Sequence, residues 1–416
     1  MPLGFYIIMA AQFFSALADN ALLIAAIALL RDLHAPAEYE PLLKLFFTVS
    51  YVALAAFVGA FADSMPKWRV MLISNTVKIG GCLMMFMGLH PLFAYAIVGL
   101  GAAAYSPAKY GILTEYLPHR LLVVANGWIE GLTVGAIILG TMLGGALIQP
   151  AWIDPLVALG LPFVDNRFEF SIAVVGLLYL IAAGFNFYIP DTGVDHKLLK
   201  NNPIYLLHDF NHCLRLLWRD KLGQISLAVT TLFWGAGATL QFIVIKWAEH
   251  ALQLDLSKAS MLQGVVAVGV AIGAILAARL VSLRNSVRVI PMGIAMGVVV
   301  LSMTLVTNAG IAMVLMVLVG ALAGFFVVPM NALLQHRGHI LMGAGHSIAV
   351  QNFNENLSIL VMTGLYALLI ASGLAVNVVI IAFGLFVAIT MYFIKRLHDA
   401  NQREFDSVRL LDDVKH

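Results

Sequence analysis

The sequence predicts an all-α membrane protein with twelve transmembrane helices in two pseudo-symmetric six-helix bundles. Of its 416 residues, 61% are hydrophobic and only 11% are charged, whereas about a quarter of a soluble protein's residues carry charge. Twelve apolar runs follow one another with short polar interruptions, and one longer polar segment, 191–221, divides them into two sets of six. The net charge of +2 is too small to suggest a nucleic-acid partner.

The twelve runs are long enough to cross a bilayer as helices, since about twenty residues at ~1.5 Å each span the hydrocarbon core. They are 5–30, 42–62, 70–89, 91–113, 122–148, 171–190, 222–247, 259–281, 287–307, 310–334, 344–371 and 374–394. Clusters of Gly, Pro, Asn or charged residues separate them. Connections as short as His90-Pro91 predict antiparallel neighbours.

The basic residues predict on which side the termini lie. An even number of spans places both termini on one side of the membrane. With the termini inside, seventeen Lys and Arg fall in inside segments, and five fall outside: Arg31, Lys44, Arg167, Lys246 and Lys258. Because cytoplasmic loops carry such an excess, both termini are predicted to be cytoplasmic. No cleavable signal peptide is expected, since the first run can span and no basic region precedes it.

The predicted domains are a first bundle, 1–190, a cytoplasmic linker, 191–221, a second bundle, 222–396, and a cytoplasmic tail, 397–416. Apolar residues recur at helical spacing in the linker: Pro203, Leu206, Leu207, Phe210, Leu214 and Leu217. With Asn202 as N-cap, they predict a helix on the cytoplasmic membrane surface. FFSALADNALL in the first bundle lines up with FWGAGATLQFI in the second, and Pro107 with Pro329, which predicts a repeat.

Asp19, beside Asn20, lies near the centre of the first run. A carboxylate at the bilayer midplane costs roughly 2.5–3.5 kcal/mol on insertion scales, so it should face protein or a water-filled cavity. We interpret Asp19 as part of a substrate or ion path. A structural ion pair, or a hydrogen bond between helices, is the alternative.

Two lysines also lie inside predicted spans. Lys78, near the centre of the third run, would either pair with a carboxylate such as Asp19 or contact substrate, and the two are compatible within a transport cycle. Lys109 follows Ser106-Pro107, a dipeptide expected to break or kink the fourth span. Lys109 is a candidate for an anionic head group, or for an ion pair with Glu130 on the next span.

The stretch QNFNEN is unusually polar for a membrane helix. Gln351 and Glu355 are four residues apart and share a helix face, as do Asn352 and Asn356. Such a patch either hydrogen-bonds neighbouring helices or contacts substrate, and both interpretations stay open for Glu355. Gln351, Asn352 and Glu130 are secondary polar or gating candidates.

A loop pattern lies between spans two and three. Gly59, Asp63 and Arg69 form GxxxDxxxxxR, which is similar to the loop signature of the major facilitator superfamily. Two parallel six-span halves with a long central loop also resemble that superfamily's fold. Asp63 and Arg69 are therefore gating candidates.

Five stretches together resemble the bacterial lysophospholipid transporter family, the LplT type. They are FFSALADNALLIAAIALL, GAAAYSPAKYGIL, FWGAGATLQF, GFFVVPMNALLQHRG and AVQNFNENLSIL, and the resemblance covers about residues 5–396. It implies a flippase in the inner membrane of a Gram-negative bacterium, moving lysophosphatidylethanolamine and lysophosphatidylglycerol from the outer to the inner leaflet. It also implies a separate cytoplasmic acyltransferase/acyl-ACP synthetase that re-acylates them.

The resemblance also suggests roles for individual residues. Asp19 matches the family's acidic headgroup residue, Asn20 its neighbour, and Lys109 the lysine of the SPAKYG motif. Gln241 stands where the family's headgroup arginine is expected, as in GATLRF, so this chain departs from the pattern there. Three lysines are candidates for meeting the phosphate instead: Lys78, Lys109 and Lys246.

A lysolipid substrate agrees with simple energetics. A sixteen-carbon tail entering water would cost ~12 kcal/mol, at ~0.8 kcal/mol per methylene, so the tail must stay on apolar walls or in the bilayer. Only the head group needs a polar route. Asp19 could accept hydrogen bonds from an ethanolamine ammonium while a lysine meets the phosphate.

Other motifs predict no chemistry. His208 and His212 have the spacing of a zinc helix, but Asp209 replaces the usual Glu and no third ligand is nearby in the sequence. A solvated linker face is expected there. His250 and Asp255 give HxxxxD, the spacing of glycerolipid acyltransferases, without a companion motif. An intramembrane acyltransferase is thus a rival hypothesis from another class.

No nucleotide, haem, flavin or metal motif is present, and Cys82 and Cys213 predict neither a disulfide nor a metal site. We expect a monomeric transporter without a cofactor, not an enzyme. Coupling to sodium or protons stays open. A transporter of another amphiphile or drug with the same fold is the principal rival.

Overall fold

The computed structural model describes residues 1–35, 39–158, 160, 164–195, 202–254, 256–406 and 411. Parts of the predicted linker and tail lie outside the described residues, including Lys197, Lys200, Arg409 and Lys415. Fourteen α-helices and three 3-10 helices form the regular structure of the described residues, which contain no strand.

The α-helices are α1 (Leu3–Asp32), α2 (Tyr39–Asp63), α3 (Lys67–Phe86), α4 (Pro91–Tyr116), α5 (Leu122–Leu147), α6 (Pro150–Val157), α7 (Arg167–Asn186), α8 (Pro203–Arg219), α9 (Gly223–Ala251), α10 (Leu256–Leu280), α11 (Ile290–Leu301), α12 (Ala309–Met342), α13 (Ala344–Ala371) and α14 (Val376–Glu404). The 3-10 helices are His119–Leu121, Leu283–Val289 and Ser302–Leu305.

The all-α membrane fold predicted from the sequence is confirmed. Eleven helical stretches in the described part are long and apolar enough to cross a membrane. The remaining predicted span corresponds to α10, whose apolar part is Gly264–Leu280. Two helices that are not spans, α6 with 8 residues and α8 with 17, complete the set.

Several helices continue past the apolar runs that predicted them. The tenth run ends at 334 but α12 continues to Met342, and the twelfth ends at 394 but α14 continues to Glu404. Backbone hydrogen bonding does not stop where a side chain becomes polar, so hydropathy marks the membrane rather than the helix end. Of the predicted break or kink at Pro107, a break is excluded because α4 continues through it, as α12 does through Pro329, and a kink stays a prediction.

One compact unit consists of Met1–Tyr116, Leu132–Asn211 and Gly343–Ala349. Its apolar core joins α1, α3, α4 and α7 through residues such as Leu22, Met85, Val98 and Val175. Small residues allow the helices to approach closely, since membrane helices associate by packing rather than by leaving water.

The other compact unit consists of Leu117–Gly131, His212–Met342 and Val350–His416. Glycines on α10 and α12 lie against backbone of the facing helix: Gly269, Gly273, Gly320 and Gly324. A Cβ on Gly324 would overlap the Val270 carbonyl oxygen. Because the two units interleave along the chain, the predicted domains 1–190 and 222–396 stay predictions.

The predicted linker helix is present as α8. Asn202 caps it as expected, its side-chain oxygen accepting hydrogen bonds from the backbone N–H of Ile204 at 3.0 Å and Tyr205 at 3.4 Å. The apolar stripe divides into two parts. Phe210 and Leu217 are buried by protein, whereas Pro203 and Leu207 are exposed. Exposed apolar side chains suit a membrane surface, which stays a prediction for this helix.

Candidate functional site

The charged centre of the first unit is an ion pair between α1 and α3. The Lys78 ammonium lies 2.9 Å from Asp19 Oδ1 and 2.8 Å from Oδ2. The pairing expected between Lys78 and a carboxylate such as Asp19 is therefore observed. The two members differ in access, because the Asp19 side chain is 20% exposed and that of Lys78 only 1%. A solute would reach the carboxylate before the ammonium.

Hydroxyl groups complete the coordination of this pair. The Tyr179 hydroxyl on α7 donates to Asp19 Oδ1 at 2.7 Å. The Lys78 ammonium also donates to the Ser15 hydroxyl at 3.0 Å, which in turn donates to Asn75 Oδ1 at 2.9 Å. Buried ion pairs persist when their remaining donors and acceptors are satisfied in this way.

Aromatic rings form the walls around the ammonium. Lys78 Nζ lies 5.0 Å from the centre of the Tyr105 ring and 5.6 Å from that of Tyr179. Both distances fall within the range of cation–π attraction, about 6 Å. The rings therefore stabilise a cation here while presenting an apolar surface.

Two buried polar groups beside the pair have no hydrogen-bond partner among the described residues. They are the Asn75 side-chain N–H₂ and the Tyr105 hydroxyl, on residues 0% and 4% exposed. A buried donor without an acceptor costs about 1–3 kcal/mol, so such groups call for an explanation. Both can donate to an anionic oxygen.

Helical spacing explains how the sequence builds this cluster, which we call the headgroup cluster: Ser15, Asp19, Asn75, Lys78, Tyr105 and Tyr179. Ser15 and Asp19 are four residues apart on α1, and Asn75 and Lys78 three apart on α3, so each pair shares a helix face. Gly101 on α4 permits the close approach. A Cβ there would lie 2.7 Å from Lys78 Cγ.

Asn20, the neighbour of Asp19, takes no part in the ion pair. Its side-chain N–H₂ donates to the Ala16 carbonyl oxygen at 2.8 Å on the same helix. Its Cβ lies beside Gly140 of α5, where an added Cβ would approach to 2.9 Å. Asn20 therefore packs α1 against α5.

The second unit contains a polar cluster built from amides and carboxylates. The Gln351 side-chain N–H₂ donates to Glu355 Oε1 at 2.7 Å and to Asn331 Oδ1 at 3.0 Å. The Asn331 N–H₂ donates to Glu130 Oε1 at 3.4 Å. The shared helix face predicted for Gln351 and Glu355 is therefore confirmed, and Asn331 connects them to Glu130. We call these four residues the amide cluster.

A second amide pair lies in the same unit. Asn126 and Gln335 exchange two hydrogen bonds, each 2.9 Å long, with exposures of 0% and 1%. Asn352 is buried on α13, and its carbonyl oxygen accepts from the Asn356 side chain at 2.8 Å. These bonds join α5 to α12 and reinforce α13, as expected of polar groups between membrane helices.

Asp63 of the loop pattern is buried in a network of its own. Its carboxylate accepts from Lys67 Nζ at 3.0 Å, from the Gly345 N–H at 2.6 Å and from the His346 N–H at 3.1 Å. Lys67 also pairs with Glu115 at 3.0 Å. The cation next to Asp63 is therefore Lys67.

Arg69, the other gating candidate, is exposed, and its guanidinium lies 5.1 Å from the centre of the Trp68 ring. The loop pattern thus separates a buried acid from a surface base.

The other predicted site residues lie elsewhere. Lys109 is half-buried on α4, its ammonium 4.4 Å from the centre of the Tyr110 ring. Gln241 and Lys246 have exposed side chains on α9. Whether Lys109 binds a head group or pairs with Glu130 stays a prediction.

Tyr179 was missed from the sequence because a single tyrosine in an apolar run gives no sign of its partner. Asn75 and Ser15 were missed although their spacing to Lys78 and Asp19 could have identified them. In the second unit, Asn126, Asn331 and Gln335 were missed. All three are polar residues inside membrane helices, and that property alone could have marked them as buried contacts between helices.

The enzyme hypothesis rested on His250 and Asp255. His250 is exposed at the end of α9, and Asp255 lies outside the described residues. The histidines of the zinc-like spacing, His208 and His212, are both exposed on α8, as expected for a solvated face.

The family model of the Major Facilitator Superfamily matches residues 8–359. Similar relatives include the lysophospholipid transporter LplT of Pectobacterium carotovorum subsp. carotovorum (strain PC1), 43% identical over 367 residues, which are 88% of this chain and 86% of the relative. The transporter of the same name from Yersinia pestis (strain Pestoides F) is 42% identical with the same coverage.

Solved structures with a similar fold include a bacterial homologue of the iron transporter ferroportin in the outward-facing state. Its TM-score is 0.72, with 13% identity over 97% of this chain and 100% of that one. The transporter FucP in its outward conformation also has a TM-score of 0.72, with 11% identity over 95% of this chain and 98% of that one. At these identities the likeness shows the fold alone.

Fold, family model and relatives agree that the protein is a multi-pass membrane transporter and not an enzyme. The identity to the LplT proteins extends over most of both chains. The chain belongs to the Major Facilitator Superfamily and, within it, to the family of lysophospholipid transporters of the LplT type.

Proposed function

We propose that this protein moves lysophosphatidylethanolamine and lysophosphatidylglycerol from the outer to the inner leaflet of the bacterial inner membrane by alternating access. The observation that carries the proposal is the buried ion pair of Asp19 with Lys78, surrounded by aromatic rings and spare donors. The names of the relatives, lysophospholipid transporters, support the choice of substrate.

The headgroup cluster has complementary partners for both charges of a zwitterionic head group. Asp19, the more accessible member of the pair, accepts hydrogen bonds from the ethanolamine ammonium. Lys78 and the spare donors of Asn75 and Tyr105 meet the phosphate oxygens. Lys78 then serves as the phosphate-binding cation that the neutral Gln241 cannot be.

An exchange of partners keeps the charges balanced. The ammonium of the lipid replaces that of Lys78 on Asp19 while Lys78 turns to the phosphate, so no buried charge is left alone. Leaving one member of a buried pair uncompensated costs about 3–5 kcal/mol, which the exchange avoids. Lysophosphatidylglycerol has no ammonium and makes only the Lys78 half of the contact, so it should bind less tightly.

The remaining candidate residues take supporting roles. Of the remaining substrate candidates, Lys109 is assigned a secondary contact with the phosphate, and Asn20, Gln241 and Glu355 are assigned supporting roles within their own units. Gating belongs to the buried polar groups at helix contacts and to the loop between α2 and α3. The gating candidates are Glu130, Gln351, Asn352, Asp63 and Arg69.

The proposed setting follows from the basic residues and the family. Both termini lie in the cytoplasm, which puts the α2–α3 loop and α8 on the cytoplasmic side. The protein acts as a monomer and delivers lysolipid to a separate cytoplasmic acyltransferase/acyl-ACP synthetase, which re-acylates it.

Reconstitution into proteoliposomes tests the function. Labelled lysophosphatidylethanolamine supplied to one leaflet should cross only when the protein is present, and a panel of unrelated amphiphiles and drugs should not compete. Repeating the assay with and without sodium and pH gradients reveals any coupling. No protein-dependent movement, or movement of the drug panel alone, would reassign the protein to another amphiphile.

A further inference from the structure

A cavity of about 710 Å³, lined by both apolar and charged residues, opens in the first unit where α1 and α3 end, α7 begins and α6 lies alongside. Its charged lining residues are Asp32, Asp154, Asp165, Arg167 and Glu169. The carboxylates outnumber the single guanidinium, so the cavity favours a cation. It lies apart from the headgroup cluster and shares none of its residues.

Not every one of these carboxylates is available to a ligand. Glu169 accepts hydrogen bonds from the Asp165 N–H at 2.6 Å and from the Asn166 side chain at 2.8 Å, and so holds the start of α7. Arg167 is only loosely engaged, its nearest nitrogen 4.0 Å from Asp154 Oδ2. The carboxylates of Asp154, Asp165 and Asp32 stay exposed and can receive a cation.

An apolar groove of about 360 Å³ adjoins this cavity on the outer face of α3 and α7. Phe86 and Ile172 line both spaces, so the groove and the cavity share a wall. Gly176, which has no side chain, leaves open space in the lining of the groove. A Cβ there would meet only Cys82 Sγ, at 3.8 Å.

We propose that cavity and groove together form a capture site for a single-chain zwitterionic lipid with an ammonium head group. The ammonium lies among the exposed carboxylates, the phosphate next to Arg167, and the acyl chain along the groove. The groove follows α7 from Ile172 to Leu180, about 12 Å at ~1.5 Å per residue. Both volumes lie in the range of ligand sites, roughly 300–1,000 Å³.

The charges of the cavity supply the selectivity. Lipid tails are as apolar as leucine, so a groove facing the bilayer gains little by burying one. The head group is held at the end of the spans, where the polar layer of a membrane lies. The site rests on the proposed function, for which it would concentrate substrate before the head group enters the headgroup cluster.

Photolabelling tests the site without requiring transport. Wild-type protein in liposomes is irradiated with lysophosphatidylethanolamine carrying a diazirine on its acyl chain, and labelled peptides are identified by mass spectrometry. Labels are expected on 79–86 and 172–180, and excess unlabelled lysophosphatidylethanolamine should remove them. Labels found only outside these two segments, or labels here that resist competition, would overturn the proposal.

Gly176→Phe fills the groove and should abolish this labelling. Gly184→Phe is the matched control on α7, since it lies outside the groove and a Cβ there meets nothing within 4 Å. Labelling that persists in Gly176→Phe would contradict the site.

The double variant Asp154→Asn with Asp165→Asn should raise the lysophosphatidylethanolamine concentration for half-maximal labelling about two- to tenfold. A lysophosphatidylglycerol probe has no ammonium, so its concentration for half-maximal labelling should be the same in the double variant as in the wild type. Glu249→Gln, on α9 of the other unit, is the control for loss of an acidic residue. Equal effects on both probes would exclude ammonium recognition.

The two proposals fail separately. Competed labels in the groove without lipid movement in proteoliposomes would remove the proposed function and keep the site. Lipid movement without labels in the groove would remove the capture site and keep the proposed function.

Discussion

The headgroup cluster of the first unit and the amide cluster of the second hold their carboxylates in different ways, although the second unit also contains a buried ion pair between Arg337 and Asp220. In the first unit, Asp19 binds a full cation, Lys78, through both of its oxygens. In the second, Glu355 and Glu130 accept hydrogen bonds from the neutral amides of Gln351 and Asn331. The headgroup cluster therefore holds Asp19 with a full charge, whereas Gln351 holds Glu355 with an amide dipole.

This difference separates two uses of polar groups inside a membrane protein. Either member of an ion pair can be replaced by a charge on a ligand, so the headgroup cluster suits a zwitterionic substrate. An amide donates and accepts at once, so the amide cluster tolerates changes of charge and joins helices. We expect the headgroup cluster to be sensitive to charge and the amide cluster to hydrogen bonding.

Lys78→Met should have the largest effect. It leaves the Asp19 carboxylate without its cation, and breaking a buried pair lowers the free energy of unfolding by about 3–5 kcal/mol. Thermal melts in detergent should show a lower melting temperature. The control is Lys44→Met, which replaces an exposed lysine on α2 and should leave the melting temperature unchanged. Adding Asp19→Asn to Lys78→Met should restore stability without restoring lysolipid transport. A double variant as unstable as the single one would contradict the account.

Tyr179→Phe should come next. It removes the 2.7 Å hydrogen bond to Asp19 and keeps the ring near Lys78. Hydrogen bonds to charged groups contribute about 1.5–3 kcal/mol, and the loss should appear both in melting temperature and in transport rate. Tyr188→Phe, exposed just after α7, is the control. Equal behaviour of the two variants would exclude the hydroxyl from the cluster.

Gly101→Ala should act through shape alone. Its Cβ would crowd Lys78 Cγ at 2.7 Å and the Ser74 carbonyl oxygen at 2.8 Å. Overpacking typically costs about 1–3 kcal/mol, and a displaced Lys78 should slow transport. Gly80→Ala on α3, where a Cβ meets nothing within 4 Å, should leave both stability and transport unchanged. Full transport by Gly101→Ala would show that α4 does not position Lys78.

Glu355→Gln should have the smallest effect. Its carbonyl oxygen can still accept from Gln351, so only about 0.5–1.5 kcal/mol is at stake. Glu355→Ala removes the acceptor and should lower the melting temperature further. If Glu355→Gln abolished transport in a stable protein, the amide cluster would have to contact substrate or a coupling ion.

Membrane spans and local side-chain relations were predictable from the sequence. Hydropathy located the spans, the Asn202 cap followed from its position, and the shared face of Gln351 and Glu355 followed from their spacing. Each depends on neighbours within a few residues. The pairing of Lys78 with Asp19 was one of two alternatives, because few opposite charges were available inside the spans.

Relations between distant helices were not predictable. Tyr179 and Asp19 are 160 residues apart, and Asn126 and Gln335 are 209 apart. Which residues meet depends on how each helix is rotated about its axis, and the nearly uniform apolarity of these spans does not encode that rotation. The loop pattern made Asp63 and Arg69 gating candidates but did not indicate Lys67, which is the residue in contact with Asp63.

The central claim is that the carboxylate of Asp19 receives the head group. Inward movement of lysophosphatidylethanolamine by Asp19→Asn in proteoliposomes, normalised to folded protein, tests it most directly. Loss of a charge-assisted contact worth about 1.5–3 kcal/mol should slow movement roughly ten- to hundredfold. Wild-type movement by a stable Asp19→Asn protein would contradict the claim and make Asp19 a structural partner of Lys78.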